Sequence, residues 1–222
     1  MQEPNRRTAI VAGATGLIGS ELLQLLLDTD YYTTVVSLTR SYLDFKHDKL
    51  LQFVIDFDRI DEVKELLGAT DIYCCLGTTM KKAGSKEAFR KVDFDYPLQL
   101  AKLALENESK QFFLVSALGA DTNSMFFYNQ VKGELEDKVK QLGYQSVHIF
   151  QPSLLLGARE EQRTGEQIAK AISKGISFAL AGPLKKYKPI EANTVATAMY
   201  KKAMERTDGV HTYSSNEIEA MI

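Results

Sequence analysis

Short apolar blocks alternate with amphipathic stretches along most of this chain. Apolar blocks typical of buried strands occupy residues 8–12, 35–39, 51–55, 70–76, 112–116 and 146–150. Apolar residues at helical spacing predict helices at residues 20–27, 60–67, 93–107 and 126–142. Strands that alternate with helices predict an α/β fold, a doubly wound parallel sheet that helices cover on both faces.

The overall composition narrows the class of protein. With 222 residues, of which 45% are hydrophobic and 25% charged, the chain has the size and balance of one globular domain. A formal charge of −2 without a basic stripe predicts no nucleic-acid partner, and no apolar run approaches the roughly 20 residues of a membrane span. Residues 1–7 are polar and hold no secretory apolar segment. We therefore expect a cytoplasmic protein, and we predict no metal site.

A glycine-rich turn follows the first predicted strand and precedes the first helix. Its first glycine permits a tight turn, its second lets the backbone approach a phosphate, and its third lets the helix pack near the strand. The helix N-terminus adds N–H groups and a dipole that attract an anion. The glycines are spaced three and three, which differs from the common G-x-G-x-x-G. The residues predicted to hold a dinucleotide pyrophosphate are Gly13, Thr15, Gly16, Leu17, Ile18 and Gly19.

A second group of polar residues lies at and after the end of the fifth strand. That strand ends at Ser116, and Tyr128 and Lys132 follow on a predicted helix, where a spacing of four places them on one face. A free tyrosine has a pKa of about 10, and a neighbouring lysine ammonium lowers it toward neutral pH. Ser116 would orient the oxygen atom that Tyr128 protonates. We predict that these three residues are catalytic.

Together, residues 13–19, Ser116, Tyr128 and Lys132 resemble the short-chain dehydrogenase/reductases of the extended or atypical type. The stretches that resemble the Tat-interacting-protein-like branch of NAD(P)H-binding reductases are residues 74–79, 115–121, 130–134 and 151–159. The resemblance covers the chain from about residue 7 to about residue 205. It implies a Rossmann-type fold, a nicotinamide cofactor that Tyr128 and Lys132 also contact, and a small-molecule carbonyl or alcohol substrate.

The chain departs from this family at one position. Many relatives have an asparagine after the fourth strand, where it supports a water chain to the lysine, and the corresponding residue here is Asp93. Two roles are open for Asp93. Either it supports a water chain to the lysine, as the asparagine does, or it caps the N-terminus of its helix, which is the more common role of such an aspartate. We favour the cap.

The end of the second strand bears on the choice of nicotinamide cofactor. NAD-specific sites carry an acidic residue there, which binds the ribose hydroxyls, whereas this chain has Arg40 and Ser41. A guanidinium suits a phosphate by charge and by geometry, and a serine hydroxyl adds a hydrogen bond. We therefore predict NADP(H) in preference to NAD(H). The alternative is that Arg40 stacks on adenine or lies in solvent.

Further cofactor contacts are predicted after the third and fourth strands. Asp56 corresponds to a position that contacts adenine in relatives, although an exposed aspartate in a turn is nearly as common. Leu76, Gly77 and Thr78 follow the fourth strand and would pass beneath the cofactor. Gly77 would allow the close approach, because it has no Cβ.

The last third of the chain is less regular and is interrupted by glycine and proline. We expect residues from about 152 onward to form most of a small C-terminal lobe on the substrate side of the sheet. No linker or repeat is evident, so residues 1–222 are predicted to form a single NAD(P)-binding Rossmann domain.

The substrate pocket is predicted from the family geometry to lie among residues 79–84, residues 118–127 and the segment after Pro152. Three neighbouring side chains either line this pocket or belong to the core: Met125, Phe126 and Phe127.

These residues favour one function over two others. The leading hypothesis is NADPH-dependent reduction of a carbonyl compound, with the hydride from the nicotinamide and the proton from Tyr128. The alternative is an NADPH-sensing regulatory or scaffold protein with little or no turnover, against which the intact Ser-Tyr-Lys set argues. A nucleotide-sugar epimerase shares these three residues but needs a larger lobe than the roughly 70 residues after the sixth strand. The sequence carries no signature of an oligomeric state.

Overall fold

The computed structural model describes residues 7–156 and 188–222, which include a seven-stranded sheet. Its strands are β1 (Thr8–Ala12), β2 (Thr34–Thr39), β3 (Leu50–Val54), β4 (Asp71–Cys74), β5 (Gln111–Val115), β6 (Ser146–Gln151) and β9 (Gly209–Ser214). They lie in the order β3-β2-β1-β4-β5-β6-β9, and every pair is parallel. Two shorter strands, β7 (Leu155–Leu156) and β8 (Ile190–Glu191), pair with each other. The arrangement confirms the predicted doubly wound fold of Rossmann type.

The helices of the described residues are α1 (Leu17–Asp28), α2 (Met80–Ala83), α3 (Lys86–Arg90), α4 (Tyr96–Glu106), α5 (Phe127–Lys140), α6 (Ala192–Glu205) and α7 (Ser215–Ala220). The predicted helix at residues 60–67 is a kinked 3₁₀ helix, Phe57–Leu67. A π-helical turn, Lys91–Asp95, joins α3 to α4 without a break, so the predicted helix at residues 93–107 starts in the middle of a longer helical stretch.

Apolar side chains form one core on each face of the sheet. Along β5, Phe112 and Leu114 belong to the core beneath α4 and α5, whereas Phe113 belongs to the core beneath α1 and α6. This alternation follows from the two-residue period of a strand. Because both faces of β5 are covered, its sequence is a continuous apolar block, which is why the pattern located the strand correctly.

The C-terminal third contributes to the central sheet as well as to any lobe. Helix α6 packs against α1, and β9 pairs with β6 as the last strand of the sheet. Only residues 152–191 therefore remain for a lobe on the substrate side, and residues 157–187 of that stretch lie outside the described residues. The prediction that residues from about 152 onward form most of this lobe therefore does not extend to α6 and β9.

The strand order reverses between β1 and β4, which lie side by side at the centre of the sheet. In folds of this type the crevice outside the carboxyl ends of such neighbouring strands binds the ligand. The backbone N–H of Cys75 donates to the carbonyl of Ala12 at 2.8 Å, so the loops after the two strands start side by side.

Candidate functional site

The glycine turn joins β1 to α1 so tightly that neither Gly13 nor Gly19 has room for a side chain. Gly13 has a φ of +86°, in the left-handed region that favours glycine, and a Cβ there would lie 2.5 Å from the Cys75 carbonyl oxygen. A Cβ on Gly19 would lie 2.2 Å from the Gly13 carbonyl oxygen. Since both contacts are with backbone atoms, a substitution at either position forces the turn to move.

The N-terminus of α1 fits an anionic group. Gly16 occupies the capping position with extended backbone, no side chain caps the helix there, and its first turn contains no acidic residue. Backbone N–H groups and the helix dipole attract negative charge at such a terminus. Thr15 is exposed and Leu17 is half-buried, whereas the side chain of Ile18 is buried in the core. The turn therefore fits a pyrophosphate through its backbone, with Thr15 at its outer side.

Arg40 and Ser41 are exposed directly after β2, the strand beside β1. Their backbone is held in part by Thr39, whose Oγ1 donates to the Ser41 carbonyl at 2.7 Å. Because β1 and β2 are parallel, Arg40 follows its strand at the same edge of the sheet as the glycine turn. Contact of Arg40 and Ser41 with a 2′-phosphate stays a prediction.

Asp56 is exposed and caps the 3₁₀ helix, because its Oδ1 accepts from the Asp58 backbone N–H at 3.0 Å. A capping aspartate in an exposed turn is the alternative that the sequence left open for this residue. The contact of Asp56 with adenine stays a prediction.

The loop after β4 lies over a buried ion pair. Asp93 Oδ1 and Lys132 Nζ are 2.8 Å apart, and their side chains are only 1% and 4% exposed. The backbone N–H of Thr78 donates to Asp93 Oδ2, also at 2.8 Å. A Cβ on Gly77 would lie 3.4 Å from Asp93 Oδ1 and 3.8 Å from Lys132 Nζ, so this loop residue lies directly against the pair. The half-buried Leu76 precedes it.

The interpretation of Asp93 as a helix cap is therefore wrong. Asp93 lies inside a continuous helical stretch, in the π-helical turn, where the neighbouring backbone N–H groups have helical partners. Its carboxylate instead points inward, to Lys132 and to Thr78. The helical stretch begins at Lys86, well before the predicted start at residue 93, and this explains the error, because a cap requires a helix terminus.

Lys132 keeps its charge despite its burial. Burial lowers the pKa of the ammonium, but the combined attraction of Asp93 and Tyr128 outweighs it, so the pKa lies above its ordinary value. A buried ammonium that has a carboxylate at hydrogen-bond distance stays protonated at neutral pH. Lys132 therefore places a fixed positive charge at the crevice.

Tyr128 lies one helical turn before Lys132, partly buried beside the aromatic ring of Phe89, with 5.4 Å between the ring centroids. Burial raises the pKa of its phenol, Lys132 lowers it and Asp93 raises it, and the net direction is upward. Without a ligand, Tyr128 therefore carries its proton at neutral pH. A protonated phenol is the form that donates to a developing alkoxide.

Ser116 is buried directly after β5, which ends at Val115, and its hydroxyl donates to Glu136 Oε1 at 2.5 Å. Glu136 is 3% exposed and also accepts from Gln151 Nε2 at 2.9 and 3.1 Å. The carboxyl group thus links the ends of β5 and β6 to helix α5. To donate to a substrate oxygen, the Ser116 hydroxyl has to rotate away from Glu136. The Glu136 carboxyl group would then still accept hydrogen bonds from Gln151.

Sequence reasoning missed Glu136, although a signal for it exists. Tyr128, Lys132 and Glu136 recur at intervals of four, so all three lie along one face of α5. A charged residue in the middle of the face that packs on the sheet is rarely buried unless it is paired. The partners Ser116 and Gln151 lie at the ends of two different strands, β5 and β6, which the helical pattern alone does not reveal.

Met125 and Phe126 are not core residues. They are 96% and 71% exposed just before α5, whereas Phe127 is half-buried and packs on Phe89 with ring centroids 5.9 Å apart. The core interpretation thus applies to Phe127 alone among the three. Pocket lining by Met125 and Phe126 stays a prediction, since residues 157–187 lie outside the described part of the chain.

These features define a Rossmann protein with a site for an NAD(P) nucleotide at the reversal of its strand order. The chain belongs to the NAD dependent epimerase/dehydratase family, whose sequence model matches residues 9–208. The resemblance to extended short-chain dehydrogenase/reductases is thereby confirmed. The chain thus has the oxidoreductase-type fold of this family.

Curated relatives support the narrower branch. The chain is 39% identical over 168 residues to the protein HTATIP2 of Rattus norvegicus. The aligned region covers 74% of this chain and 69% of the rat protein. It is 34% identical over 209 residues to the mitochondrial protein FMP52 of Candida albicans, covering 91% and 90% of the two chains.

Solved structures share the fold. The enzyme WbmH of Bordetella bronchiseptica, solved in complex with NAD+, matches with a TM-score of 0.72 and 15% identity, covering 96% of this chain and 77% of that enzyme. MoeE5 in complex with UDP-glucose and NAD matches with a TM-score of 0.70 and 14% identity, covering 96% and 79%. Identity this low shows the common fold alone.

The prediction of a cytoplasmic protein is wrong. The FMP52 relatives of Candida albicans, Emericella nidulans and Debaryomyces hansenii are all named mitochondrial. The prediction rested on features that the chain lacks, and such absences do not point to a compartment. In residues 7–156 and 188–222, no helix has the length and apolar character to cross a membrane.

Proposed function

We propose that this protein is an NADPH-dependent oxidoreductase that reduces a carbonyl compound. The observation that carries the proposal is the buried, charged Lys132 one turn from a protonated Tyr128, beside the loop after β4 at the crevice. A cation fixed beside a phenol assists proton donation, because it stabilises the phenolate that forms.

Each residue has a separate task in this proposal. NADPH, when bound, supplies a hydride to the carbonyl carbon. Tyr128 donates its phenolic proton to the carbonyl oxygen, and Lys132 stabilises the resulting phenolate and contacts the ribose. Ser116 orients the oxygen after its hydroxyl leaves Glu136. The glycine turn fits the pyrophosphate because its backbone N–H groups and the N-terminus of α1 favour an anion.

We expect Arg40→Ala to raise the Kd for NADPH about 10- to 100-fold, because charge-assisted hydrogen bonds to the 2′-phosphate are lost. The Kd for NADH, which has no such phosphate, should change by no more than about twofold. Titration of the nucleotide fluorescence measures both constants. The control is Arg59→Ala, which removes an exposed arginine that pairs with Glu62. Equal losses for the two nucleotides would show that Arg40 does not select the phosphate.

We expect Ser116→Ala to lower kcat/KM at least about tenfold, because the substrate oxygen loses a donor. The free energy of unfolding should fall by about 2 kcal/mol, the usual cost of one hydrogen bond to a carboxylate. The control is Ser146→Ala, a buried serine that donates to the Thr207 carbonyl at the other end of the sheet. If Ser116→Ala retains full kcat/KM, the serine only links β5 to Glu136 and the assigned role is wrong.

A sensor without turnover is the second candidate function. The observation that favours it is that the Ser116 hydroxyl is already engaged by Glu136, and Lys132 by Asp93, inside the protein. A protein that only binds NADPH would use these groups to fix the strand ends. Turnover with any carbonyl compound separates the two functions.

A further inference from the structure

We propose that Asp93 is a positioning residue that holds Lys132 against the cofactor loop and offsets the charge that Lys132 presents to Tyr128. This inference rests on the proposed function, since it concerns the same site. Its ground is the geometry of one carboxylate with two buried contacts, one to a catalytic side chain and one to the loop backbone.

Both carboxylate oxygens of Asp93 already have a partner. Oδ1 binds the Lys132 ammonium and Oδ2 binds the Thr78 N–H, both at 2.8 Å, and the side chain is 1% exposed. It therefore links three elements: the π-helical turn, α5 and the loop after β4. An ordinary asparagine would offer one oxygen for these two donors, and it would leave the lysine charge uncompensated.

The groups that face this pair are few among the described residues. Lys132 interacts with Asp93 from the π-helical turn, with Tyr128 from its own helix and with Cys74 from β4. Burial raises the pKa of the Cys74 thiol to about 12, so it adds no charge at neutral pH. For Tyr128, Lys132 and Asp93 are the two charges, and they act in opposite directions.

The sign of the effect follows from these charges. Lys132 favours the phenolate of Tyr128, and Asp93 opposes it both directly and by compensating the lysine. Removal of the Asp93 charge should therefore let Tyr128 ionise at lower pH. Removal of both charges should leave the ionisation near that of the wild type, because two opposing effects disappear together.

The test is a spectroscopic titration of tyrosinate in the full-length protein. Each variant is measured against the same protein with Tyr128→Phe, so that the difference reports Tyr128 alone among the ten tyrosines. We expect Asp93→Asn to move the Tyr128 titration about one pH unit lower, as the loss of a neighbouring charge does. The control is Asp95→Asn, an exposed aspartate in the same turn, which should not move it.

Two further outcomes keep the proposal falsifiable. If Asp93→Asn does not fold, the double variant Asp93→Asn/Lys132→Met, which leaves no unpaired buried charge, should fold and titrate within about half a pH unit of the wild type. An unchanged titration in Asp93→Asn, or an upward shift of clearly more than about half a pH unit in the double variant, would overturn the offset. The titration needs no turnover, so a protein that reduces no carbonyl but shows the shift refutes the proposed function and leaves this inference standing.

Discussion

Tyr128→Phe is expected to lower kcat for carbonyl reduction about 10²- to 10⁴-fold, the usual contribution of a positioned proton donor. The ring should stay in place, because phenylalanine keeps its packing against Phe89. The Kd for NADPH should stay nearly unchanged, since the glycine turn and the loop after β4 do not depend on the hydroxyl. Steady-state kinetics of NADPH consumption and a fluorescence titration of NADPH measure the two quantities.

The matched control is Tyr200→Phe, which removes a hydroxyl from α6 and keeps the edge-on contact with Tyr31. It should leave kcat unchanged. If Tyr128→Phe retains the wild-type kcat as well, Tyr128 does not donate the proton and the mechanism fails.

Gly19→Ala is expected to have the largest effect on stability. Its Cβ would lie 2.2 Å from the Gly13 carbonyl oxygen, so α1 and the turn have to separate. Overpacking against backbone of this kind costs about 3 kcal/mol of the free energy of unfolding. Because the same turn fits the pyrophosphate, we also expect the Kd for NADPH to rise at least about tenfold. Chemical denaturation and nucleotide titration measure these effects.

Gly68→Ala provides the control for this change. A Cβ on Gly68 has only the Asn107 carbonyl oxygen nearby, at 3.9 Å, which is an ordinary contact. In this variant the free energies of unfolding and of NADPH binding should both stay within about 0.5 kcal/mol of the wild-type values, as is usual for a surface substitution. A Gly19→Ala protein as stable as Gly68→Ala would show that the turn adapts and does not depend on close packing.

Strands that are covered on both faces could be predicted from the sequence. β1, β2, β4 and β5 are continuous apolar blocks because both faces meet helices, and the expected residues lie within two positions of the observed strands. β9 was not predicted. It lies at the edge of the sheet, and its sequence Gly-Val-His-Thr-Tyr-Ser is largely exposed and mostly polar, so it shows no apolar block.

The part of the site that depends on one helix face could also be predicted. The spacing of Tyr128 and Lys132 requires only the helical period, and α5 has both residues in its first two turns. The contacts of the site residues with other elements could not be derived in this way. Asp93 reaches Lys132, and Glu136 reaches Ser116, across packed elements that are distant in sequence. Periodicity places Glu136 on the same face of α5 as Lys132, but it does not show which residue of another element either side chain contacts.

The transfer of deuterium from NADPH to a carbonyl compound tests the central claim most directly. The protein is incubated with NADPH that carries deuterium at both C4 positions of the nicotinamide and with a panel of aldehydes and ketones, and the alcohol products are analysed by mass spectrometry. We predict a deuterated alcohol with the wild-type protein and almost none with Tyr128→Phe, although both bind NADPH. A wild-type protein that binds NADPH but transfers deuterium to no compound in the panel would contradict the account and favour the sensor.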